Sequence, residues 1–134
     1  LIVVDASVWG SYFYPTDVNH ATSRAWILQQ IINNTPLISP VLLLSEVGGP
    51  VSRRVGQAEA KQAINELRGL QSVFLIDLDE TLALTAASLA VDLQLRGADA
   101  VYVAVAEQLS LPLVTWDREI INRAAGVAHA QTPN

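Results

Sequence analysis

Four short apolar runs, each followed by a longer stretch of helical periodicity, constrain this fold more than any other feature. Leu1–Val4 is apolar throughout and β-branched at its last three positions, the pattern of a strand buried on both faces. Val73–Ile76 and Leu113–Thr115 read the same way, and Leu37–Ser39 is a shorter candidate. Val127–Ala130 is expected to be a last edge strand. Strands that alternate with helices point to an α/β three-layer sandwich with a mostly parallel central sheet. At 134 residues the chain is expected to form one domain, spanning 1–134.

The helical segments have legible ends. Ser7–Tyr14 predicts a short helix or turn stopped by Pro15. Asp17–Asn33 predicts a helix with Asp17 as its N-cap, and Pro40 stands where another can begin. Val41–Val55 reads as a helix that Gly48-Gly49-Pro50 interrupts, because Pro50 removes a backbone donor and should kink or break it. Gln57–Leu70 is amphipathic, with Ala60, Ile64 and Leu67 on one face. Asp79–Arg96 is expected to be capped by Asp79 and ended by Gly97. Ala98–Leu109 is apolar on most faces and therefore buried. Asp117–Ala125 ends at Gly126.

Composition excludes several chemistries. Cys is absent, which removes disulfides, zinc–thiolate sites and cysteine nucleophiles. The chain is 51% hydrophobic and 16% charged, so it has ample material for a core. Eight Lys+Arg against 13 Asp+Glu give a net charge of −5, which argues against a basic nucleic-acid coat protein. All but one of the basic residues are Arg, the better partner for bidentate phosphate contact. No run reaches the roughly 20 apolar residues of a membrane span, and Leu1–Val4 is too short for a signal-peptide core. A soluble cytoplasmic protein is the expectation.

Most acids stand where acids are ordinary, on polar helix faces or at helix N-termini. Four do not. Asp5 and Asp117 follow apolar strands, at the carboxyl ends where open parallel sheets bind ligands. Glu46 sits in the apolar helical turn Val-Leu-Leu-Leu-Ser-Glu-Val, and Asp99 in the first turn of the most apolar helix. No Lys or Arg is expected to neutralise them locally. Ionised carboxylates in apolar surroundings are costly unless paired or metal-bound, and clustered hard oxygens suit Mg²⁺ or Mn²⁺. Each acid also has a structural account taken alone: Asp5, Asp99 and Asp117 as helix caps, Glu46 as a half-exposed helix position. Asp77 also ends an apolar strand, but Asp79 and Glu80 beside it mark a helix start.

The segments Val-Asp5-Ala-Ser7, Leu-Ser-Glu46-Val, Arg-Gly-Ala-Asp99-Ala and Val-Thr115-Trp-Asp117-Arg-Glu occur in an order and setting that resembles the PIN domain, the nuclease fold of VapC-type toxins. The resemblance runs the length of the chain. It implies a PIN-like, Rossmann-like sandwich in which Asp5, Glu46, Asp99 and Asp117 converge and hold one or two Mg²⁺ or Mn²⁺ ions. It implies cleavage of RNA, mainly single-stranded, by a metal-activated water. It also implies a homodimer and a small VapB-like antitoxin. Ser7 and Thr115 would hydrogen-bond the ligand carboxylates, Trp116 would stack on a base, and Arg118 would meet a phosphate. Turn chemistry, packing and solvent exposure are the plainer roles for these four.

Arg53 and Arg54 either border an RNA groove or form a solvated face. Trp9, Tyr12, Phe13 and Tyr14 form an aromatic cluster suited to an interface or to local core packing. His20 and His129 have no matching partner. Two other functions fit parts of the pattern: an inactive PIN-fold binding module, and another Mg²⁺-dependent phosphohydrolase using Asp5. The second lacks the Asp-x-Asp pair, since residue 7 is Ser, and neither a G-x-G-x-x-G nor a P-loop is present.

Overall fold

Successive strand residues point to opposite faces, and here they fill two separate cores. The computed structural model describes residues 1–134. Its sheet has five strands: β1 (Ile2–Val4), β2 (Leu37–Pro40), β3 (Val73–Ile76), β4 (Leu113–Val114) and β5 (Ala130–Gln131). Their order is β3-β2-β1-β4-β5, and every neighbouring pair is parallel. Val3, Ile38 and Leu113 pack on one face against α5 (Glu80–Leu93), α6 (Gly97–Leu109) and α7 (Arg118–Arg123). Val4, Leu37 and Val114 pack on the other against α1 (Ala6–Phe13), α2 (His20–Ile32), α3 (Leu43–Arg54) and α4 (Gln57–Gly69). The three layers follow directly.

The chain builds outward from β1 through β2 to β3, returns to the other side of β1 as β4, and continues to β5. Strand order therefore reverses between β1 and β4. A crevice opens at such a reversal, beyond the carboxyl ends of the strands. Asp5 and Asp117 stand at its two sides.

Four local expectations are corrected. Pro40 does not open a helix. It ends β2 in register with Ile76, and the next ladder bond comes from Val41 N–H to the Ile76 carbonyl at 2.8 Å, so no donor is missed. Pro50 does not break α3, which runs unbroken from Leu43 to Arg54. Val47, Gly48 and Val51 bury that helix against α4, and a Cβ on Gly48 would meet Ile64 Cδ1 at 2.8 Å. Close packing holds the helix where one backbone bond is missing.

Asp17 does not cap α2. Its Oδ1 accepts Asn19 N–H at 2.8 Å in a turn, and the helix starts at His20. Gly97 does not end α5. Gln94 takes the left-handed conformation at φ +54°, Leu95 is buried behind it, and Gly97 is the first residue of α6. Asp79 does cap α5, accepting Leu82 N–H at 2.9 Å.

Candidate active site

Asp5 is the buried centre of the crevice. It leaves β1 as the N-cap of α1 and is 4% exposed. The Ser7 and Thr115 hydroxyls both donate to its Oδ2, at 2.6 and 2.7 Å. The same two oxygens accept from the next strand's loop: Ser7 Oγ from Trp116 N–H at 2.9 Å, and Thr115 Oγ1 from Asp117 N–H at 3.0 Å. The loops after β1 and β4 are thus tied through one carboxylate. Burial raises the Asp5 carboxyl pKa, and the two hydroxyls only partly oppose it.

The other acids arrive from separate elements. Glu46 lies in the first turn of α3, and its Oε1 accepts the Tyr102 hydroxyl at 2.8 Å. Burial raises its pKa against that bond, and the Asp5 charge adds to the rise. Asp99 lies in the first turn of α6. Burial, then the charges of Asp5 and Asp117, push its carboxyl up to about 6. Its buried Oδ2 accepts no hydrogen bond. Asp117 caps α7 by accepting Glu119 N–H at 2.8 Å, and its Oδ2 stands 3.7 Å from Arg96.

Two participants were missing from the sequence reading. Arg96 lies 3.4 Å from Asp99 Oδ2 as well as near Asp117, so the acids do have a local cation. Its spacing of three residues before Asp99, across the start of a helix, was the available signal. The same side chain is 76% exposed, so this neutralisation is solvent-screened and shallow. Tyr102, fully buried and three residues after Asp99, was hidden within an apolar helix. Burial and then Glu46 push its phenol pKa far up, so it stays a donor.

A PIN domain family model matches residues 2–127. The chain belongs to the PIN domain family. Solved structures similar in fold span nearly all of it. VapC20 of Mycobacterium tuberculosis, a sarcin-ricin loop cleaving toxin, is 20% identical with a TM-score of 0.79, covering 94% of this chain and 95% of that one. FitAcB of Neisseria gonorrhoeae is 20% identical at a TM-score of 0.71, covering 99% and 98%. PAE2754 of Pyrobaculum aerophilum is 25% identical at 0.70, covering 96% and 82%. No curated protein matches the sequence.

The remaining candidates of this PIN domain divide. Trp116 is half-buried, and its indole Nε1 donates to Ser23 Oγ at 2.8 Å, which fixes the ring as a wall. Arg118 is exposed. Asp77 is exposed at the end of edge strand β3. Trp9 and Tyr12 pack into the core. His20 Nδ1 meets the Ser11 carbonyl at 2.8 Å. No three acidic or histidine side chains stand, as placed, in metal-holding geometry. The donor chemistry nonetheless fits a hard cation. The Asp5 charge raises the cost of ionising Glu46, the charges of Asp5, Asp117 and Glu46 raise that of Asp99, and one buried oxygen of Asp99 has no hydrogen-bond partner. No helix is long and apolar enough to cross a membrane.

Proposed function

We propose that this PIN domain is a Mg²⁺- or Mn²⁺-dependent endoribonuclease of the cytoplasm, acting mainly on single-stranded RNA as the toxin of a toxin–antitoxin pair. In this reading it works as a homodimer and is held in check by a small VapB-like antitoxin. The observation that supports it most is that Asp5, Asp117 and Glu46, each from a different element, lie near enough to Asp99 for their charges to raise its carboxyl. VapC20, named as a toxin, supports the assignment through likeness of fold.

The four carboxylates are the residues that would hold one or two cations. A divalent ion bound there supplies a nucleophilic water at neutral pH and stabilises the leaving oxygen. The chain's own groups prepare that chemistry. Ser7 and Thr115 hold Asp5 in one orientation through Oδ2. Tyr102 does the same for Glu46. Arg96 offsets part of the charge on Asp99 and Asp117. Trp116 forms a rigid wall for a base, and exposed Arg118 reaches a flanking phosphate.

The test is incubation of the protein with single-stranded and structured RNA in Mg²⁺, Mn²⁺ or EDTA. Cleavage should require the divalent ion and should be lost in Asp99→Asn. Calorimetric metal titrations of Asp5→Asn and Asp99→Asn should show weakened binding in both. Cleavage that survives EDTA, or unchanged metal affinity in both variants, overturns the assignment.

A further inference from the structure

A cavity of about 330 Å³ lies in the groove between α1 and α3, and Glu46 is the one of the four acids that lines it. Glu46, Pro50 and Arg54 line it, four residues apart, as one stripe of α3. The eight residues from Glu46 to Arg54 carry the groove about 12 Å along α3 from Glu46. Arg54 is the one basic residue in the lining, and its guanidinium lies over the Tyr14 ring, 5.3 Å from the centroid. That contact limits where the cation can go. Asp17 also lines the cavity, with its carboxylate engaged by Asn19 N–H.

The two helix walls are built from poor helix formers. A Cβ on Gly10, in α1, would meet nothing within 4 Å, so the space before it is open. Pro50 has no N–H, which leaves the Glu46 carbonyl without its usual helical donor. Neither residue serves its own helix. Both line the same groove, and Gly10 leaves room in it. A polyanion leaving an acidic centre needs a cation beyond it, and this chain has few to spare at 8 bases against 13 acids.

We propose that this groove is a subsite for the RNA strand flanking the cleaved bond. Arg54 binds a backbone phosphate at its outer end, and Gly10 leaves the space in which the intervening nucleotide lies beside Trp116. The inference rests on the nuclease reading of the carboxylates, but its test reads binding and not cleavage.

A fluorescein-labelled single-stranded oligoribonucleotide is titrated with the Asp99→Asn protein in Mg²⁺ over a range of salt. Adding Arg54→Gln should weaken binding roughly tenfold and reduce the slope of log affinity against log salt by about 0.7, one phosphate contact. Adding Gly10→Leu should weaken it about tenfold with the slope unchanged, and Gly10→Ser serves if Leu disturbs folding. Arg68→Gln, on the exposed face of α4, should change neither. Parental affinity and slope in Arg54→Gln, or parental affinity in both folded Gly10 variants, overturns the subsite. Binding that depends on Arg54 and Gly10 in a wild-type protein that never cuts RNA supports the subsite and overturns the nuclease. Cleavage by the wild type with groove variants at parental affinity does the reverse.

Discussion

Asp99 is held at a cost, and that cost has a pH signature. Its carboxyl is raised from 3.8 to about 6, first by burial and then by Asp5 and Asp117. A raised acid favours folding fully below its unfolded pKa, and that support is lost as pH climbs through the folded value. At 1.36 kcal/mol per pKa unit the penalty above pH 6 is at most about 3 kcal/mol. Asp99→Asn in EDTA should therefore raise the melting temperature by several degrees at pH 8, and by far less at pH 4, in thermal unfolding followed by circular dichroism. An equal shift at both values would mean the penalty is not electrostatic. Tyr102 is the complementary case. Tyr102→Phe deletes the donor to Glu46 while keeping the buried ring, so Mn²⁺ affinity should fall about tenfold in a calorimetric titration. Unchanged affinity would separate that bond from the metal site. The four acids were legible because carboxylates in apolar sequence are conspicuous. Their partners were not, because one tyrosine in an apolar helix and one arginine before a glycine are ordinary locally.

At the scale of elements, α3 shows how packing overrides propensity. The helix continues through Pro50 from the turn that carries Glu46, and Gly48 lets α4 come close along it. Gly48→Ala should gain about 1 kcal/mol of helix propensity and lose much of it against Ile64 Cδ1. In an Ile64→Val background, which lacks that methyl, the same substitution should recover nearly the full gain. Equal effects of Gly48→Ala in the two backgrounds, measured by urea denaturation, would show that the contact does not limit the helices' approach. The strands were readable because a parallel strand covered on both faces is a continuous apolar run. Helix ends were less readable. Gln94 rather than Gly97 ends α5 because Leu95 is drawn into the core, a demand visible only once α6 is in place. Pro40 reads as a helix start until β3 is paired beside it.

Across the whole molecule, the net charge of −5 changes meaning once the acids are located. Setting aside Asp5, Glu46, Asp99 and Asp117 leaves nine acids against eight bases, close to neutrality. If the four acids share one crevice, as the proposed function holds, the excess is concentrated there, and a concentrated charge repels a polyanion more strongly than a spread one would. Divalent cations would cancel that charge where the RNA must pass. Binding of single-stranded RNA should then be at least tenfold weaker in EDTA than in Mg²⁺ at matched ionic strength. In EDTA, Asp5→Asn combined with Asp99→Asn should tighten binding, because it removes the repulsion without supplying a cation. In Mg²⁺ the same pair should weaken it, because the cation is no longer held. Fluorescence anisotropy across the four conditions reads both signs at once. If the double variant moves affinity in the same direction with and without Mg²⁺, the acidity of this chain is a surface property, and the crevice is not where RNA and metal meet.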